Sequence, residues 1–148
     1  MLNRTQKTAA QQLADFAVAL TFDDLPPAAV KLAKQCLADA VACAVYGQRF
    51  PWSQMVLAEA MASGAGGPCR LPGVEGHGLH VPQAALALGT FSHAFELDNL
   101  RAPGAGVHGG ATVALPALMM AQACNASGRD LVTAIVAGIE VMLSLIHI

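Results

Sequence analysis

The chain has 148 residues, 55% of them hydrophobic and only 12% charged, with a formal net charge of −2. That length supports one domain with a real core, and the absence of any Lys/Arg run argues against a nucleic-acid partner. Ala, Val, Leu and Gly dominate, which predicts closely packed helices whose apolar surface is buried in an oligomer or a larger protein.

The first residues, Met1 to Lys7, have no apolar run after their charges, so no signal peptide is expected. From about Thr5, the residues Leu13, Phe16, Ala17 and Leu20 form a helical stripe. Phe22 to Leu25 make a turn, and Pro26-Pro27 open a second helix running to about Tyr46. Its wide apolar face includes Val30, Ala33, Leu37, Ala40, Val41, Ala44 and Val45. Asp39 lies within that face and is expected to hydrogen-bond a neighbouring element. Cys36 and Cys43 share the face and read as small core residues. With Cys69 and Cys124 they form no CxxC pair, which fits a reducing, cytoplasmic setting. Gly47 ends the helix.

Pro51 to Ser63 is a third, shorter helix, with Trp52 expected to pack, and Gly64 to Gly67 close it. Residues 68–80 read as an irregular connector with at most a short extended piece; His77 and His80 lie there and are given no role. Val81 to Leu97 reads as a helix, and a further one runs from about Ala111 to Ala126. Ser127-Gly-Arg-Asp130 has the spacing of a capping box. The last helix, Leu131 to at least Met142, is apolar almost all round and is expected to be central. Glu140 interrupts this run, so no membrane span is expected. No segment of useful length has strand periodicity. The chain reads as all-α, with about six helices.

One stretch, residues 93–110, gathers His93, Glu96, Asp98, Asn99, Arg101 and His108, whereas Ala102 to Gly128 contains no Asp, Glu, Lys or Arg. His93 and Glu96 are three residues apart on the predicted helix. Pro103, Gly104 and Gly106 break it and lead to His108-Gly109-Gly110. A loop histidine would then face carboxylates at a helix exit, with the N–H groups of Gly109, Gly110 and Ala111 pointing outward as an anion site. Histidine can exchange a proton near neutrality, and nearby carboxylates orient it. Three readings stay open on the residues alone: a solvated helix end with a capping histidine, a proton-transfer site for an anionic substrate, and a metal site of His93, Glu96 and His108. The zinc signal is weak, because the order His-Glu-x-x-His is absent.

The run His93-Ala-Phe-Glu-Leu-Asp-Asn followed by Val-His108-Gly-Gly-Ala resembles the signature of the MmgE/PrpD family, which includes 2-methylcitrate dehydratase and cis-aconitate decarboxylase. Three flanks agree: Leu13-Ala-Asp-Phe with Asp24-Leu-Pro-Pro-Ala-Ala-Val and Cys36 to Gly47; Ala84 to His93; and Ser127 to Val141. The resemblance covers roughly residues 10–142.

It implies the N-terminal part of an all-α domain carrying a cofactor-free lyase site, dimeric when complete, with no metal. It places His108, Glu96 and Asp98 in catalysis, with Asn99 and Arg101 as substrate-binding candidates. The substrate would be a small di- or tricarboxylate such as 2-methylcitrate or cis-aconitate. The family more often has Asp-Asp at Asp98-Asn99 and His-Pro at His108-Gly109, departures that leave the exact substrate open and also fit a divergent or inactive copy. Carboxylate substrates need cationic clamps, yet near the motif the chain offers Arg101 alone; Lys7, Lys31 and Lys34 lie in the first two helices. Family members are much longer and carry a second, α+β domain. Residues 1–142 are therefore expected to be an incomplete helical domain. Residues 143–148, including His147, are expected to be a tail foreign to the family pattern. The alternatives are a non-catalytic helical assembly module and a metal-dependent hydrolase using His93, Glu96 and His108.

Overall fold

The computed structural model describes residues 7–76, 78–101 and 106–146. Thr5, His77, Pro103, Gly104 and His147, all invoked above, lie outside the described residues. Within them are six α-helices: α1 (Ala9–Ala19), α2 (Pro27–Gly47), α3 (Pro51–Gly64), α4 (Val81–His93), α5 (Leu115–Cys124) and α6 (Gly128–Ile146). A 3-10 turn spans Phe22–Asp24, and a π-helical turn over Gly110–Ala114 leads directly into α5. The all-α expectation holds. One short strand, β1 (Ala65–Cys69), was not expected at that place; its bridges are isolated antiparallel ones to Leu79.

Local chemistry explains most boundaries. Thr8 and Gln11 form a capping box at the start of α1. Pro27 sits at the first turn of α2, where its missing N–H is not needed. Ser127 and Asp130 form the predicted box at α6: the Ser127 N–H donates to Asp130 Oδ2 at 3.0 Å, and the Asp130 N–H donates to Ser127 Oγ at 3.2 Å. Gly47 is needed for packing, because a Cβ there would overlap the Phe91 carbonyl of α4.

The centre of the fold is α4. It packs against α2, α3, α5 and the π-helical turn. Leu88 and Phe91 of α4, Leu79, and Leu115 and Met119 of α5 are fully buried. Each contributes about 1.5–3 kcal/mol by leaving water. The expectation of a central last helix is corrected: α6 buries one face, through Val132, Ile135 and Ala137, and leaves Glu140 exposed. A second small cluster forms there with Leu25 and Ala33. Among the described residues, no helix is long and apolar enough to cross a membrane.

Two boundaries near the motif also differ from expectation. Helix α4 stops at His93 rather than Leu97. Tertiary contacts peel the chain away there: the Trp52 indole N–H donates to the Ala94 carbonyl at 3.1 Å, and the Phe95 ring packs against Tyr46 and Phe50. Trp52 itself stacks on Phe50, as its packing role predicted. The helix expected from Ala111 begins instead as the π-helical turn.

Candidate functional site

The motif stretch folds over the C-terminus of α4. His93 is the last residue of α4. Glu96 turns the chain with a positive φ of 57°, a left-handed conformation that costs a non-glycine residue energy and occurs mostly at constrained sites. That turn brings Asp98 back beneath the helix end, where its side chain is completely buried. Arg101 and Val107 then pair as an antiparallel bridge, with the Arg101 N–H donating to the Val107 carbonyl at 2.9 Å. This bridge returns the chain so that His108 faces Asp98.

Asp98 ends up between two imidazoles. Its Oδ1 lies 3.0 Å from His93 Nδ1, and its Oδ2 lies 3.2 Å from His108 Nδ1. The first contact is a hydrogen bond. The second is within ion-pair distance but off-axis, so both buried atoms lack a hydrogen-bond partner. The two rings sit edge to face, 4.5 Å between centroids. The other nitrogen of His93, Nε2, lies 3.0 Å from Glu96 Oε1. The hydrogen bond to Asp98 raises the pKa of His93 above its ordinary value; burial opposes this, and the charges of Asp98 and Glu96 reinforce it. The result is a chain of groups, Glu96–His93–Asp98–His108, running from solvent into the protein.

A cavity of about 590 Å³ opens beside the two imidazoles. Its walls include Leu86, Gly89, Thr90, Val107 and Thr112. The only titratable side chains lining it among the described residues are His93 and His108. Arg101 instead lines a separate cavity of about 190 Å³, beside Met142 of α6.

Asn99 faces α2. Its Nδ2 donates to Asp39 Oδ2 at 2.8 Å and to the Cys36 carbonyl at 3.2 Å. Its Oδ1 accepts from the Gly110 N–H at 3.1 Å and from the Cys36 thiol at 3.2 Å. The Asn99 backbone N–H also donates to Asp39 Oδ2, at 2.9 Å. Asp39 therefore bonds a neighbouring segment, as its place in the α2 face implied. The amide is fully engaged within the protein. The outward-facing anion cradle at Gly109, Gly110 and Ala111 is corrected by the same contacts: all three residues are buried, and Gly110 has its partner in Asn99.

The MmgE/PrpD N-terminal domain model matches residues 11–148. The chain belongs to the MmgE/PrpD family. Among its MmgE/PrpD relatives is a cis-aconitate decarboxylase of Aspergillus terreus, 33% identical over 135 residues, covering 87% of this chain and 27% of the relative. A cis-aconitate decarboxylase-like protein of Aspergillus oryzae, oryM, is 30% identical over 136 residues, covering 91% of this chain and 27% of that protein. The chain thus spans about a quarter of the length of these relatives. No solved structure matches it.

Sequence reasoning placed Glu96, Asp98 and His108 together, and the structure joins them through His93. It had assigned His93 only to a metal alternative. The signal for its larger part was its position five residues before Asp98, which a continued helix would have kept apart.

Proposed function

We propose that this MmgE/PrpD domain supplies the proton-transfer half of a cofactor-independent lyase acting on a small di- or tricarboxylate, such as cis-aconitate or 2-methylcitrate. The observation that supports it is the buried Asp98 carboxylate bridging two imidazoles at 3.0 and 3.2 Å beside an open cavity. A carboxylate in that position orients a histidine and stabilises its protonated form.

His108 is the acid/base. Its Nδ1 faces Asp98, which leaves Nε2 for the substrate. In a decarboxylation the C–CO₂ bond breaks, its electron pair stays on carbon, and His108 delivers the proton that quenches it. In a dehydration His108 takes the carbon-bound proton while the neighbouring C–O bond breaks, and the hydroxyl leaves as water with a proton given by the imidazolium of His93. His93, held between Asp98 and Glu96, carries positive charge next to the cavity and offsets part of the substrate's negative charge. Asn99 acts as a brace rather than a ligand, and Arg101 serves a substrate group that reaches past the Val107 bridge. Further cations come from outside this domain, because its three lysines all lie in α1, α2 or the residues before them. The same reading includes a homodimer and a cytoplasmic setting, the latter supported by four free thiols.

The test is turnover of cis-aconitate, citrate and 2-methylcitrate, followed by proton NMR, on protein of the length of its relatives. Conversion of at least one is expected, with His108→Ala lowering turnover by about 100-fold or more. No turnover of any of the three, or a His108→Ala variant of near-normal rate, overturns the reading.

A further inference from the structure

One side of the buried Asp98 carboxylate, Oδ2, lacks a hydrogen-bond partner although an imidazole nitrogen faces it. His93 is held on both ring nitrogens, Nδ1 by Asp98 Oδ1 at 3.0 Å and Nε2 by Glu96 Oε1 at 3.0 Å, so a doubly protonated ring serves both carboxylates. His108 Nδ1 and Asp98 Oδ2 face each other at 3.2 Å, both buried and both without a hydrogen-bond partner. A proton on His93 satisfies one side of this arrangement and leaves the other orphaned. A metal ion satisfies both. One ligand atom from each of His93, Asp98 and His108 lies within 4.8 Å of the others. Zinc binds imidazole nitrogen and carboxylate oxygen at about 2.0–2.2 Å, so two tetrahedral ligands of one ion stand roughly 3.3 Å apart. The separations at Asp98, 3.0 Å from Oδ1 to His93 Nδ1 and 3.2 Å from Oδ2 to His108 Nδ1, are near that figure, so an ion shared by the two carboxylate oxygens would meet both imidazoles.

We propose that His93, Asp98 and His108 form a binding site for one divalent ion of the zinc type, which competes with the proton at this site and so inhibits turnover. The donor set selects the ion. Two imidazoles and one carboxylate suit zinc or cobalt, whereas magnesium and calcium require oxygen ligands throughout. Glu96 takes the outer position: a carboxylate on the second nitrogen of a ligating histidine fixes its tautomer and strengthens its donation. Such partners change metal affinity by about 10–100-fold when removed. His93 is partly exposed, so the ion has an entry path and a fourth position open to water.

The binding half of this inference stands on the geometry alone; the inhibition half rests on the lyase reading. Calorimetric titration of the protein with zinc chloride at pH 7.5 is expected to give one site. Cobalt should give the visible bands of a tetrahedral centre without a thiolate charge-transfer band. His93→Gln and His108→Ala should each weaken zinc at least 10-fold, Glu96→Gln by 10-fold or more, and magnesium should not bind. His93→Gln sits at the rim and spares buried Asp98, and circular dichroism confirms its fold. The site is refuted by an absence of zinc binding, by affinity unchanged in both histidine variants, or by a thiolate band placing the ion on a cysteine. Turnover measured against zinc separates the two readings. Inhibition at the binding affinity upholds both. Zinc bound at the histidines with turnover unaffected retains the site and refutes its catalytic use.

Discussion

Replacing Asn99 with alanine removes a side chain whose hydrogen bonds tie the motif to α2. Four contacts vanish together: two donated to Asp39 and the Cys36 carbonyl, and two accepted from the Gly110 N–H and the Cys36 thiol. Asp39 keeps only the backbone N–H of residue 99. The buried Gly110 N–H, at the start of the π-helical turn, loses the partner it has. An ordinary hydrogen bond contributes about 1 kcal/mol, one to a charged group about 1.5–3, and an orphaned buried donor costs about 1–3 kcal/mol. Half-burial of Asn99 lets water replace part of this, so the expected loss is about 2–4 kcal/mol. With a urea slope of about 2 kcal/mol per molar, the midpoint falls by roughly 1–2 M. The assay is urea unfolding followed by circular dichroism. The histidine resonances of the variant should also move, because Gly110 lies two residues after His108. A midpoint within about 0.25 M of the parent would refute the brace. A substrate-contacting Asn99 would instead leave stability intact and lower turnover alone.

Three further outcomes follow from the packing and the caps. Leu88→Ala, in the fully buried centre of α4, should cost about 2–5 kcal/mol in the same urea assay. Gly47→Ala should destabilise by about 1–3 kcal/mol or more, since the added methyl meets the Phe91 backbone rather than a side chain that can move aside. Asp24 and Asp130 both titrate below their ordinary value through hydrogen bonds from Thr21 and Ser127 respectively. A depressed carboxylate pKa adds stability that is complete above the unfolded value and lost as pH falls through the folded one. The urea midpoint should therefore drop between about pH 5 and pH 2.5, and Asp130→Asn should flatten that drop; an unchanged slope would count against the cap.

Much of the fold could be read from local chemistry. Pro27 and the Ser127–Asp130 box mark boundaries because each acts on its own backbone. The misplaced end of α4 had no such signal. Ala94, Phe95 and Leu97 suit a helix, and it is Trp52, 42 residues earlier, that captures the Ala94 carbonyl. Propensity lost there to tertiary contact. The apolar run in α6 suggested a central helix, but the centre went to α4, where small residues such as Ala84, Ala87 and Gly89 allow close approach. In the site, spacing placed Glu96 beside His93, which is where it lies. Spacing could not reveal that the left-handed turn at Glu96 swings Asp98 under both histidines.

Asp98 and Asn99 are neighbours in sequence with opposite tasks, and this separation explains how a chain so poor in charge can hold a buried carboxylate. Burying Asp98 is costly unless its position is fixed and its oxygens are engaged. His93 engages one oxygen by a hydrogen bond and His108 faces the other at ion-pair distance, yet both histidines lie at a helix end or on a loop and cannot anchor themselves. Asn99 supplies the anchor, because its bonds reach α2, packed against the central helix, and the turn that opens into α5. If this division is right, Asn99→Asp should be worse tolerated than Asn99→Ser. A carboxylate at residue 99 would stand about 3 Å from Asp39, with both donated bonds reversed into repulsions, whereas a serine keeps a hydroxyl that can serve one partner. Comparing the urea midpoints of the two variants at pH 7 and pH 4 decides it. The aspartate variant should recover as pH falls and one carboxylate of the pair takes up a proton. Equal midpoints at both pH values would place the anchor elsewhere.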